Sequence, residues 1–408
     1  MSKQKKKKTK WIKPRHYVIR FLLAGTLGIY TKFKYGVKVE PFKEQRKGQP
    51  YLILYNHQTA WDQFFVGLAF KGPVYYLASE DIFSMGWVSG LIRWLVEPIP
   101  IKKQSTDIQA VKTCYKVAKE GGTIAIAPEG NRTYSGKTEY MSPAIAGMAK
   151  TLKMPIALFR IEGGFGVHPR WSDVVRKGKM RGYVSRVIEV EEYKDMTTEE
   201  LFAEIERGLY VNEAVADREF SHKQLAEYLE RAMYVCPDCG LSTFYSKDDL
   251  IWCTKCNRKV RYGLKKELTG VDEEFPYPFV SQWYDAQKAY VNSLDVTQQT
   301  EEPYYREEAE LSEVILYKHK EPLRDHVTLA LYGDRLVIDE GTEGEMNLAF
   351  GDISAISVLG KNKLNIYYQG HVYQIKSDEH FNALKYVNIY YRYKNISKGE
   401  SHDEFLGL

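Results

Sequence analysis

Tyr51-Leu52-Ile53-Leu54-Tyr55-Asn56-His57-Gln58-Thr59-Ala60-Trp61-Asp62 joins an apolar run to a histidine and, after four residues, an aspartate. Tyr51 to Tyr55 is short, aromatic and β-branched, which predicts a buried strand. Trp61 to Phe70 (WDQFFVGLAF) reads as a helix, and Thr59 with Asp62 has the spacing of a helix start. His57 therefore falls in a strand-to-helix loop, with Asp62 in the first helical turn. On a continuous helix a five-residue step would turn the two side chains apart; across a corner they can meet. A carboxylate on one imidazole nitrogen fixes the tautomer and leaves the other nitrogen to take a proton from a hydroxyl. The plainer alternative is that Asp62 only caps a helix and His57 is a loop residue.

At 408 residues the chain has room for two or three domains and a large core. Its net charge of +5 is unevenly placed. Residues 1–39 hold twelve Lys or Arg and no acid, against 46 basic and 53 acidic residues in the remainder. A basic arm on an acidic body suits a polyanionic partner for the arm. No run reaches the ~18 apolar residues of a membrane span. The N-terminus is too basic, and its apolar stretch too poorly flanked, for a secretory signal. Residues 16–35 place Lys and Arg beside Phe and Leu, which suits a helix lying on a membrane surface or, equally, an N-terminal core helix.

From Val37 to about residue 215, strand-like and helix-like stretches alternate, which predicts an α/β domain with a mainly parallel sheet and its site beyond the carboxyl ends of strands. Thr123-Ile124-Ala125-Ile126-Ala127 runs into Pro128-Glu129-Gly130-Asn131-Arg132-Thr133, where Gly130 lets backbone approach a ligand and Arg132 offers a charged fork for phosphate. Pro98-Ile99-Pro100-Ile101-Lys102-Lys103 is another strand running into positive charge. In this order the segments resemble the glycerolipid acyltransferase family, typified by lysophosphatidic acid acyltransferases. His57 and Asp62 match its HxxxxD motif. Pro128 to Thr133 match F-P-E-G-T-R-S/T, with Ala127 for Phe and Asn131 for the first Thr. Lys103 takes the Arg position of the second motif, and Met154-Pro155-Ile156-Ala157-Leu158 matches V-P-I-x-P with Leu158 for its second proline.

The resemblance covers about residues 35–210 and implies transfer of a fatty acyl group from acyl-CoA or acyl carrier protein to the hydroxyl of a lysophospholipid, with 1-acylglycerol-3-phosphate as the leading acceptor. In that chemistry His57 is the general base and Asp62 its orienter. Arg132 with Lys102 or Lys103 holds the acceptor phosphate. Glu129 organises the loop, and Gly130 admits the backbone. Glycerol 3-phosphate and lyso-aminolipids are the alternative acceptors, and a non-catalytic membrane-associated scaffold is the alternative outside enzymes.

Cys236-x-x-Cys239 and Cys253-x-x-Cys256, thirteen residues apart, have the spacing of a four-thiolate zinc ribbon. Four ligands leave no open position, so the Zn2+ is read as structural. Ribbons can bind nucleic acid, but the acidic body argues against a specific nucleic-acid partner. Cys114, on a helix over 106–120, reads as core. From Ser312 the apolar period is two, and a helix over 378–394 closes the chain, which resembles a pleckstrin-homology (PH) or GRAM-type barrel. Tyr390, Tyr391, Arg392 and Tyr393 on that helix read as core and surface rather than as a lipid pocket. The expected order is a basic arm and interfacial helix (1–35), acyltransferase domain (36–215), helical connector (216–233), zinc ribbon (234–263), acidic aromatic linker or packed strap (264–310), PH-like β-barrel with capping helix (311–395) and tail (396–408). The expected location is peripheral, on the cytoplasmic face of an anionic membrane.

Overall fold

The computed structural model describes residues 10–101, 108–298 and 300–399. Helix α1 (Pro14–Tyr35) leads into β1 (Val37–Val39), β2 (Leu52–Tyr55), α2 (Asp62–Ala69), β3 (Val74–Ser79), α3 (Trp87–Val96) and β4 (Ile99–Ile101). Then follow α4 (Ile108–Lys119), β5 (Thr123–Ile126), α5 (Ala144–Leu152), β6 (Ile156–Glu162) and β7 (Met180–Ile188). The strands form one sheet in the order β1-β7-β6-β2-β5-β3-β4. Every pairing is parallel except β6 with β7.

Alternation along the strands divides the core between the two faces of the sheet. Leu52, Leu54, Ile124 and Ile126 pack on one face with Ile145 and Ala149 of α5. Ile53, Ala125, Ala157 and Phe159 pack on the other with Phe65 and Val66 of α2. Cys114 is buried in the first of these clusters. The central strands β2 and β5 are buried along their whole length, so their apolar runs are continuous rather than alternating in hydrophobicity.

Downstream, a helix spans Thr198–Leu209, opened by a capping box in which Thr197 and Glu200 exchange hydrogen bonds. The helical connector expected over 216–233 does not form as a continuous helix. Leu229–Arg231 is a single 3-10 turn, preceded by Tyr228 at φ 71°. Tertiary demands override helix propensity there. Glu230 is buried against His380 (2.5 Å), and Arg231 reaches Asp173 (2.7 Å) and the carbonyl of Trp171 (2.9 Å).

The ribbon is a short hairpin (Val235–Cys236 with Gly240–Leu241) beside an antiparallel sheet of Phe244–Lys247, Leu250–Cys253, Lys259–Tyr262 and Leu268–Gly270. The acidic aromatic segment is a packed strap. Its helix, Val280–Ser293, buries Trp283, whose Nε1 donates to the Val235 carbonyl at 2.8 Å. Seven antiparallel strands between Tyr305 and Lys376 then form a half-barrel, closed by a helix over Leu384–Lys398. Tyr134, Phe165 and Trp171 of the α/β half belong to the same apolar cluster as the ribbon, the strap and this half-barrel.

Candidate active site

Strands β2 and β5 are parallel neighbours in register, Leu52 opposite Ile124 and Leu54 opposite Ile126. Their carboxyl ends therefore release two loops side by side, His57–Trp61 and Ala127–Thr133. Asn56 fixes the first by a two-way bond with Ile161 of β6, donating to its carbonyl (2.9 Å) and accepting from its N–H (2.8 Å). Across the gap, Thr133 N–H donates to the His57 carbonyl at 3.1 Å.

His57 Nδ1 lies 2.8 Å from Asp62 Oδ2. The same oxygen accepts from the main-chain N–H of Gln58 (2.6 Å) and Thr59 (2.9 Å), and Oδ1 accepts from the Thr59 hydroxyl (2.6 Å). Asp62 is the first residue of α2, but Trp61 holds the N-cap position and no side chain caps the helix; the Asp62 carboxylate instead fixes the preceding loop and holds the imidazole. With Nδ1 occupied by a carboxylate, Nε2 is the nitrogen left to exchange a proton at the cleft that His57 lines.

Glu129 ties the two loops together. Its Oε1 accepts from His57 N–H (2.8 Å) and its Oε2 from Glu139 N–H (2.9 Å). Burial pushes this carboxyl up to about 8, against the pull of the two N–H groups. Gly130 has φ 69° and open space where a Cβ would stand, so backbone conformation rather than crowding calls for glycine. Arg132 Nη2 donates to the Gly360 carbonyl (3.4 Å), while Nη1 is shielded from solvent without a hydrogen-bond partner. Burial lowers the Arg132 guanidinium to about 10, and the neighbouring charge of Arg170 adds to the effect. Lys102 and Lys103 lie outside the described residues.

His57, Glu129 and Arg132 line a cleft of about 1340 Å³. Its long part is apolar, walled by Leu23 and Leu27 of α1, Phe64 of α2, Tyr76 of β3 and Leu95 of α3. The C-terminal half-barrel supplies another wall through Val358, Leu359, Gly360, Tyr391 and Lys394. Tyr390 is indeed core, its hydroxyl bonded to the Ile353 carbonyl at 2.8 Å, but it and Tyr391 also border this cleft. The contributions of Asn56, Glu139 and Arg170 carry no local sequence signal, because each acts through a partner distant in the chain or through main-chain atoms.

The four cysteine sulfurs lie within 4.8 Å of one another, with Cys236 and Cys256 3.7 Å apart. A tetrahedral Zn–S site with ~2.3 Å bonds places its sulfurs ~3.8 Å apart. The donor set therefore fits a metal of that kind. Main-chain N–H groups of Asp238 and Cys239 face the Cys236 sulfur, and those of Lys255 and Cys256 face Cys253. Gly240 (φ 68°) and Asn257 (φ 62°) close the two knuckles in the left-handed region.

Residues 36–161 match the model of a family described as Acyltransferase. A 1-acyl-sn-glycerol-3-phosphate acyltransferase of Bacillus subtilis (strain 168) is 22% identical over 204 residues, 50% of this chain and 98% of that protein. Among solved structures, the 1-acyl-sn-glycerophosphate (LPA) acyltransferase of Thermotoga maritima is similar with TM-score 0.41 and 20% identity, over 48% of this chain and 78% of that one. The family match and the Bacillus relative support an acyltransferase; the cysteine knuckles and the half-barrel lie beyond the family match.

Proposed function

We propose that the chain transfers a fatty acyl group from a thioester, on CoA or acyl carrier protein, to the hydroxyl of a lysophospholipid, with 1-acylglycerol 3-phosphate as the acceptor. The observation that carries this reading is the His57–Asp62 pair opening onto an apolar cleft that also presents the unpartnered Nη1 of Arg132. An acyl chain suits the apolar part, and an anionic headgroup suits Arg132.

His57 Nε2 takes the proton of the acceptor hydroxyl as its oxygen attacks the thioester carbonyl carbon. Asp62 stabilises the imidazolium that forms. The new O–C bond replaces the C–S bond, and the imidazolium returns its proton to the departing thiolate. No acyl-enzyme is required. Glu129 serves by position, keeping the His57 and Arg132 loops in register.

The enzyme works as a peripheral protein on the cytoplasmic face of an anionic membrane. No helix among the described residues is long and apolar enough to cross one. Phe21 (74% exposed), Phe33 (83%) and Trp87 (80%) stand open to solvent on α1 and α3, which pack together and both line the cleft with other residues. The cysteine cluster holds a structural Zn2+, and the half-barrel with its closing helix is PH-like.

The test is an acyl-transfer assay of purified protein with labelled donors and a panel of lysolipids. His57→Ala should lower kcat by ~10²–10⁴-fold and leave acceptor affinity nearly unchanged. Arg132→Ala should instead raise KM for a phosphate-bearing acceptor by ~10–150-fold, the loss of one charge-assisted bond of ~1.5–3 kcal/mol. A folded His57→Ala protein with wild-type transfer removes the mechanism. A wild-type protein that binds lysolipid and transfers nothing is a scaffold.

A further inference from the structure

Arg170 is 2% exposed and, like Arg132, borders the cleft. Its three nitrogens point to three carbonyls in two parts of the molecule. Nη1 donates to Arg132 (3.0 Å), in the loop after β5. Nε donates to Gly360 (3.3 Å), in the half-barrel turn between the strands Ile353–Leu359 and Lys363–Tyr368, and Nη2 to Val358 (3.2 Å), at the end of the first of them. Its guanidinium carbon stands 4.2 Å from the centre of the Tyr134 ring. The turn is pinned on its other side, where Lys361 meets Asp173 (2.6 Å), itself held by Arg231.

The same Gly360 carbonyl accepts from Arg132 Nη2, which leaves Nη1 as the shielded, unpartnered donor of Arg132. Two guanidinium groups thus lie together at the end of the cleft. The ion pairs found among the described residues engage neither of them with a carboxylate, an arrangement that favours an anion from outside. Any anion that meets Arg132 within the cleft has Val358, Leu359 and Gly360 along its wall.

We propose that the Val358–Lys361 turn is the headgroup wall of the acceptor site and that Arg170 is a positioning residue which locks this wall to the Arg132 loop. The turn limits the space beyond the anion, so the site selects a bare phosphomonoester headgroup over a phosphodiester that carries a further substituent. A segment some three hundred residues beyond the catalytic pair thereby sets acceptor choice. This inference rests on the acyltransferase reading, and its test separates the two.

The experiment uses the full chain, with steady-state transfer to a lysophosphatidate and to a lysophospholipid of larger headgroup, and a melting temperature for every variant. Arg170→Lys keeps the charge and loses the fork. It should raise acceptor KM ~10-fold, with kcat and donor KM within ~3-fold of wild type. Because Arg170 acts through Arg132, adding Arg170→Lys to Arg132→Ala should cost nothing further. Leu359→Ala, which leaves both arginines in place, should raise relative kcat/KM for the larger headgroup ~10-fold. Unchanged acceptor KM in Arg170→Lys, multiplying effects in the double variant, or unchanged discrimination in Leu359→Ala overturns the inference. If Arg170→Lys does not fold, Leu359→Ala decides alone. If wild type transfers no acyl group, the functional reading fails, and the wall is read by calorimetric binding of glycerol 3-phosphate. That affinity should fall ~10-fold in Arg170→Lys; equal binding by both proteins, or binding by neither, overturns it.

Discussion

Asp62 Oδ2 accepts three N–H groups, the imidazole Nδ1 of His57 at 2.8 Å and the main-chain N–H of Gln58 and Thr59 at 2.6 and 2.9 Å. The imidazole is thus oriented by an oxygen that the backbone has already fixed. Because Asp62 is fully buried and hydrogen-bonded through both oxygens, the carboxylate cannot swing to follow a change in the ring.

This geometry separates charge from shape. Asp62→Asn can keep its amide oxygen towards the three N–H groups and turn its NH2 to the Thr59 hydroxyl, so the fold should survive. What disappears is the charge that stabilises the imidazolium, and kcat should fall ~10²–10⁴-fold. Asp62→Ala leaves buried donors unpaired, each costing ~1–3 kcal/mol, and should lower the melting temperature as well. Calorimetry beside the transfer assay distinguishes the two variants. Equal losses of stability would mean that the amide cannot replace the hydrogen bonds of the carboxylate.

The cysteine cluster predicts about one zinc per chain by elemental analysis. Cys253→Ser should lower the melting temperature more than it lowers kcat in the surviving folded fraction, because the cluster lies within the core that unites ribbon, strap and half-barrel. Structural zinc contributes on the order of 10 kcal/mol to the folding of its module. Metal-free protein with an unchanged melting temperature would contradict this.

The sequence made β2 and β5 visible because both are short apolar runs that stop abruptly, and two C-x-x-C pairs made the sulfur cluster visible by spacing alone. His57 and Asp62 were legible as a pair, and their 2.8 Å separation follows from a strand-to-helix corner. The rest of the site is written in long-range contacts. Glu129 meets His57 through a main-chain N–H, and Arg170 meets Gly360 across 190 residues. The Pro128–Thr133 motif marks Glu129 but not its partner, and no local pattern marks Arg170. Residues 216–233 misled in the opposite sense: their helix-like pattern yields to the burial of Glu230 and Arg231 against distant partners.

Membrane association should depend on both the basic arm and the exposed aromatic residues of α1 and α3. Deleting residues 2–10 should shift protein from anionic vesicles to solution, since each Lys or Arg near such a surface contributes about 1 kcal/mol, and added salt should do the same. Replacing Phe21 and Phe33 with Ser should weaken binding to neutral vesicles too, by ~1.5–3 kcal/mol for each ring that enters the bilayer. Vesicle flotation measures both. Retention of both variants on vesicles at all salt concentrations would place the anchor elsewhere, with the half-barrel as the next candidate.

The last prediction concerns His168, which is buried with its Nδ1 unpartnered and its ring beside Tyr35. Burial, then the charges of Lys361, Arg132 and Arg176, lower its pKa to about 3, with only Asp173 opposing. The unfolded chain gains this proton near pH 6.5 and the folded protein does not. The folded-state pKa is depressed, so the stability contribution is present above pH 6.5 and is lost as pH falls towards 3. Well below pH 6.5 the loss approaches ~1.4 kcal/mol per pH unit from this group. Urea midpoints of wild type and His168→Gln at pH 7, 6 and 5 isolate it, since other acid-sensitive groups are common to both proteins. Stability should decline with acid more steeply in wild type than in the variant. Parallel curves would mean that His168 takes up its proton in the folded protein as readily as in the unfolded chain.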